Sequence, residues 1–140
     1  MTSASYNNEV ANTFEALPAA MENLSLWLEA QSVDPAASYL AALALEELVT
    51  NCIKYGYDDK EKHVIKVGVD LTESEMVMSV EDDGHPFNPL AQAEPDTTLP
   101  VEERPIGGLG IHLLRKMSDK MEYLRENGLN RVTLHKSRNR

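Results

Sequence analysis

The stretch LAALALEELVTNCIKYGY, residues 40–57, decides how the rest of the chain is read. Leu45, Leu48, Val49, Cys52 and Ile53 cover much of a helix's circumference, so this helix packs against other elements on more than one side. Glu47, Asn51 and Lys54 interrupt the apolar surface at spacings of four and three. On a helix that spacing stacks a carboxylate, a carboxamide and an amine along one stripe. Such a stripe ordinarily faces water. Here two later stretches give it something else to face.

Working upstream, Asp34 followed by Pro35 is a cap and first-turn pair for this helix, and Gly56 stops it. Before it, residues 20–31 repeat Leu24, Leu26, Trp27 and Leu28 among good helix formers, with Pro18 where a first turn accepts it; Trp27 is the expected core anchor. Residues 9–17, with Val10, Phe14 and Leu17, predict a short strand. Downstream, residues 58–62 form a charged turn, and Ile65, Val67, Val69 and Leu71 alternate with Lys66, Gly68 and Asp70 as a half-buried strand. Met76, Met78 and Val80 repeat that alternation after a short polar connection, which predicts an antiparallel hairpin. The second strand runs into EDDGHPFNP, residues 81–89. No periodicity follows until about residue 106, so residues 85–106 are expected to be a long lid-like loop. Then IGGLGIHLLRKMSD, residues 106–119, predicts a glycine-rich turn feeding a helix, and Asn127-Gly128 a tight hairpin between two last strands. The final SRNR, residues 137–140, is expected to be disordered.

Composition bounds the function. A chain of 140 residues is one domain with one core. Its net charge of -10 opposes nucleic-acid binding, which needs a basic face, and favours a protein partner. The single cysteine, Cys52, can form no internal disulfide; a reducing cytoplasm and a small core role are expected of it. No signal sequence opens the chain and no stretch looks like a membrane span, so a soluble, unexported protein without membrane contact is expected.

Three stretches carry chemistry. Asp82 at a strand end, with Gly84 two residues on, offers an acceptor for an exocyclic amine and a spot where a flat base can approach backbone. Taken alone, Asp-x-Gly is more often a turn. Gly107, Gly108 and Gly110 ahead of a helix offer free amides to phosphate oxygens, although glycines also simply break helices. Asn51 can give a neutral oxygen to Mg2+, and Glu47 can accept a proton from a nucleophilic hydroxyl.

The order of these stretches, E-x-x-x-N-x-x-K on a helix, a strand ending in D-x-G, a lid, then G-G-x-G opening a helix, resembles the Bergerat-fold ATPases, the superfamily of gyrase, Hsp90, histidine kinases and MutL. The phrases EELVTNCIKYGY, VEDDGHPFNP and GGLGIHLLRKMSD are most similar to the anti-sigma-factor serine kinases of the RsbW type, over roughly residues 10–136. The resemblance implies a two-layer α/β (α+β) sandwich, a mixed, mostly antiparallel sheet with helices on one face, binding ATP and Mg2+. It implies Glu47 as general base, Asn51 as Mg2+ ligand and Lys54 as a phosphate contact. It implies Asp82 with Gly84 as reader of the adenine amine, and Gly107, Gly108, Leu109 and Gly110 as the phosphate-facing backbone. Arg104 on the lid is a further candidate for the terminal phosphate. Pro86-Phe87, where many Bergerat proteins have a second glycine, is similar to the short anti-sigma members.

The implied partners are an anti-sigma-factor antagonist, a sigma factor, or both, with homodimerisation through the first strand and helix. No histidine has the surroundings of a phosphoacceptor, and a gyrase-like or Hsp90-like ATPase needs a further transducer domain. Two functions remain: a kinase transferring the γ-phosphoryl of ATP to a serine or threonine of the antagonist, and a nucleotide-dependent module that sequesters a regulator without transfer.

Overall fold

A computed structural model describes residues 3–91 and 108–138 of the chain. Arg104, Gly107 and the lid beyond residue 91 fall outside these residues. Five strands, β1 (Ala4–Ala11), β2 (Val64–Leu71), β3 (Glu75–Asp82), β4 (Lys120–Glu126) and β5 (Leu129–Ser137), form one sheet in the order β1-β2-β3-β5-β4. Every ladder is antiparallel, where a mixed sheet was expected. The alternation seen in the sequence fixes the faces. Ile65, Val67, Val69 and Leu71 on β2 and Met76, Met78 and Val80 on β3 are buried, while the residues between them stay at least partly exposed. Burying each such side chain contributes about 1.5–3 kcal/mol.

The buried face is covered by α1 (Leu17–Ala30), α2 (Pro35–Tyr55) and α3 (Gly108–Met117). Helix α2 lies between the other two, packed on α1, α3 and β3. Ala37, Ala41 and Ala44 are fully buried along it, and their small side chains let the neighbouring elements approach closely. The Asp34 side chain accepts the Ala37 amide at 3.2 Å as the N-cap. At the far end the Gly56 amide donates to the Cys52 carbonyl at 2.9 Å. By length and a hydropathy of 1.2 this 21-residue helix would pass for a membrane span, contrary to expectation. Its buried residues are core residues of the sandwich.

The N-terminal strand lies earlier than predicted. It spans Ala4–Ala11 and buries Tyr6 and Val10, and the expected region beyond it forms a 3-10 turn at Phe14–Ala16 and the start of α1. Two widely separated apolar residues among asparagines left the alternation too sparse to place it. Leu24 and Leu28 enter the core, whereas Leu26 is exposed and Trp27 is half-buried, its ring 5.2 Å from that of Tyr6.

The expected disorder of residues 137–140 is corrected at Ser137 and Arg138, while 139 and 140 lie outside the described residues. Ser137 closes β5 and its amide donates to Asp119, while Arg138 donates to the carbonyls of Ser74 and Thr72. Asn127 and Gly128, both at positive φ of 55° and 78°, make the β4–β5 turn, the conformation a two-residue hairpin needs.

Candidate functional site

Period-two alternation carries Asp82 to the same face as Met76, Met78 and Val80, so the strand's last inward residue is a carboxylate, 9% exposed. Its Oδ1 accepts the Gly84 amide at 2.9 Å and Asn130 Nδ2 at 3.1 Å. Among the described residues its Oδ2 accepts only the Cys52 thiol, at 3.1 Å. Burial, and then the charge and hydrogen bond of Asp82, push the thiol well above the ordinary cysteine value, so Cys52 stays protonated and donates. Cys52 packs against the core as expected, and in addition donates its thiol to the Asp82 carboxylate.

Glycine is required where the end of α2 meets the turn after β3. A Cβ on Gly84 would stand 2.6 Å from the Gly56 carbonyl oxygen, and one on Gly56 would stand 2.7 Å from the Cys52 oxygen. The His85 amide donates to the Gly56 carbonyl at 2.8 Å, and Arg125 Nη1 donates to the Gly84 carbonyl at 2.8 Å. A second brace lies outside this contact. His63 sits between Asp59, 2.8 Å from Nε2, and Asp83, 3.2 Å from Nδ1, with Tyr57 stacked on its ring at 4.1 Å.

Asn51, Asp82 and Asn130 line one cavity together with Cys52, Leu48, Val80, Val132, Phe87 and Pro89; Tyr55 and His85 are its exposed members. It holds about 30 Å³, room for one or two waters. Asn51 is 8% exposed, far more buried than a polar stripe that faces water would be.

Glu47, one turn earlier on α2, is half-buried and is not part of this lining. Its carboxylate rests on the first turn of α3, where a Cβ on Gly110 would overlap it. Burial first and the neighbouring Glu46 second raise the Glu47 carboxyl above its usual range, against the pull of Lys54. A carboxylate so raised is a better proton acceptor than an exposed one. Lys54 itself is exposed, outside the cavity, and acts on Glu47 through its charge.

Helix α3 starts at Gly108, so Gly108, Leu109 and Gly110 form its first turn, where a turn preceding the helix was expected. First-turn amides have no acceptor within the helix and can meet an anion. The structure therefore joins Asp82 and Asn51 at one cavity, holds Gly84 on the Asp82 carboxylate but outside the cavity lining, sets Glu47 and Gly110 beside each other one helical turn away, and leaves Lys54 out. The Asn51 carboxamide offers an oxygen of the kind Mg2+ accepts, and Mg2+ takes few protein ligands and its remainder from phosphate and water.

Two participants escaped the sequence reading, Asn130 and Arg125. Asn130 had a signal, since it stands at an inward position of the alternation it shares with Val132 and Leu134, directly opposite Asp82 in the ladder. Arg125 had none.

Residues 10–136 match the description of a histidine kinase-like ATPase domain. An anti-sigma F factor of Clostridium perfringens is 30% identical over 112 residues, 76% of this chain and 79% of the relative. A serine-protein kinase RsbW of Oceanobacillus iheyensis is 26% identical over 92 residues, 62% and 58% of the two chains. The match to an anti-sigma F factor of Clostridium novyi, 32% identical, spans about half (54%) of that relative. A crystal structure of RsbU and RsbW domains from Mycobacterium tuberculosis superposes with a TM-score of 0.66 at 15% identity, covering 99% of this chain and 34% of that one, a likeness of fold.

Proposed function

The chain belongs to the histidine kinase-like ATPase domain family, and from that premise we propose that it is an ATP-binding anti-sigma regulatory factor with serine/threonine kinase activity. Its substrate is a serine or threonine hydroxyl on an antagonist protein, its other partner is a sigma factor, and it works in the cytoplasm as a homodimer. The observation that carries this reading is Asp82. It is a buried carboxylate with one oxygen held by two N–H donors and the other bonded, among the described residues, only to a thiol, facing a cavity that Asn51 also lines.

Asp82 Oδ2 takes the adenine amine, while Gly84, packed against the Gly56 carbonyl, holds Oδ1 through its amide. The first-turn amides of α3, Gly108 to Gly110, face the phosphates. Asn51 and the phosphates would hold Mg2+, which supplies neutralisation of charge on the β and γ oxygens. Glu47 takes the proton of the incoming hydroxyl as its oxygen bonds to the γ-phosphorus and the bond from that phosphorus to the bridging oxygen breaks, releasing ADP. Glu47 is well suited to this because burial raises its affinity for a proton.

The test is incubation with γ-labelled ATP, Mg2+ and antagonist proteins that co-purify with the chain. Transfer of label by the wild type and its loss in Glu47→Ala, with ATP still bound, is the expected result. Tight partner binding with no label transferred by the wild type would instead establish a sequestering module.

A further inference from the structure

Resting on the nucleotide site proposed above, we propose that Asn130 is a specificity-determining positioning residue. It sets which oxygen of Asp82 meets the base, and so enforces the choice of a purine that carries an amino group. Asn130 is 3% exposed and stands opposite Asp82 in the β3–β5 ladder. Its Nδ2 donates to Asp82 Oδ1 at 3.1 Å and to the His85 carbonyl at 2.7 Å. Its Oδ1 accepts the Phe87 amide at 3.3 Å and the Tyr123 hydroxyl. A carboxamide has two N–H groups and two lone-pair sites, so all of its capacity is used. Its orientation is fixed, because a flip would set an oxygen against two oxygens and an NH2 against the Phe87 amide.

The consequence falls on Asp82. With the Gly84 amide also on Oδ1 at 2.9 Å, that oxygen has two N–H donors, whereas among the described residues Oδ2 has only a thiol, a weak donor. The carboxylate is thereby held from rotating, with Oδ2 turned to the cavity. A purine amine there gains a charge-assisted bond. A carbonyl at the same place, as in hypoxanthine, meets an oxygen with which it cannot bond. His85 and Phe87, which line the same cavity, are tied to this one amide, so Asn130 aligns the reader and the wall together.

The experiment compares Kd for ATP and for inosine triphosphate by calorimetry, with Mg2+, in wild type, Asp82→Asn, Asn130→Asp and Asn130→Ala, each checked for folding by circular dichroism. Asn130→Asp is nearly isosteric. It keeps the acceptor for Phe87 and Tyr123 and replaces the donors by an oxygen that repels Asp82 Oδ1, so it disturbs the positioning of Asp82 while the turn stays stapled through Phe87 and Tyr123, and it decides the matter should Asn130→Ala fail to fold. Wild type is expected to prefer ATP by about tenfold or more, and both Asn130 variants to bring that ratio close to one. All titrations are run at high pH, well above the ordinary carboxylate range. An unchanged ATP-to-ITP ratio in Asn130→Asp at high pH overturns the inference, however far affinity itself falls. A wild type that binds neither nucleotide would instead overturn the nucleotide-site reading on which it rests.

Discussion

Two glycines show how single residues fix the site. At Gly110 there is no room for a methyl group while the Glu47 carboxylate is where it is, so Gly110→Ala must displace either the carboxylate or the first turn of α3. The expected outcome is a fall in the phosphotransfer rate of at least about tenfold, with a smaller change in ATP affinity because the base-reading end is untouched. Single-turnover kinetics beside calorimetry would check this, and a fully active Gly110→Ala would show that Glu47 does not work from its observed position. At Gly84 the obstacle is the Gly56 carbonyl, which is backbone and gives less easily. Gly84→Ala is expected to lower stability by about 1–3 kcal/mol, read as a shifted urea midpoint at unchanged slope. Both glycines were legible in the sequence as places where backbone comes close. What each comes close to was not, because a glycine says nothing about the direction of its neighbour.

The connection between α2 and β2 is the element whose behaviour depends on pH. His63 is raised above its ordinary value of 6.5, first by its hydrogen bond to Asp59 and then by that to Asp83, while Asp59 is lowered below 3.8, chiefly by the same bond. A raised histidine stabilises the fold fully below pH 6.5 and ceases to as pH climbs through its raised value. A lowered aspartate contributes above 3.8 and stops contributing as pH falls through its lowered value. The brace between this loop and the turn after β3 is therefore strongest between those limits. The difference in melting temperature between wild type and His63→Gln is expected to be largest near pH 6 and to shrink by pH 9; a difference that does not vary with pH would remove the imidazolium from the account. Several elements had clear sequence signals: α2 through its cap and its stop, β2 and β3 through strict alternation, and the β4–β5 turn through Asn127-Gly128. Strand β1 and the start of α3 were misplaced for one reason. A strand with two core residues and a helix that opens on glycines both carry less periodicity than the tertiary contacts that hold them.

At the scale of the whole molecule, the sandwich serves to bring the ends of α2, β3 and β5 and the start of α3 to one side of a single core. Leu45, 1% exposed on α2, lies in the core behind that site. Leu45→Ala is expected to cost about 2–5 kcal/mol by chemical denaturation, since the layers on either side cannot fully close the space; a loss well under 1 kcal/mol would mean that the helix can settle onto the sheet without it. The order of the motifs in the sequence was enough to indicate a nucleotide site, and the alternation on β3 enough to turn Asp82 inward. The remaining geometry was not legible, because a pairing such as Asp82 with Asn130 arises from strand register across 48 residues of chain and leaves no local pattern. The central claim, that Asp82 grips the purine of ATP, is tested most directly by isothermal calorimetry of Mg-ATP against wild type and Asp82→Asn. The two N–H donors at Oδ1 hold the new carboxamide with its oxygen there and its NH2 toward the base, so affinity is expected to fall by about tenfold to a hundredfold. Equal affinity in the two proteins would contradict the account.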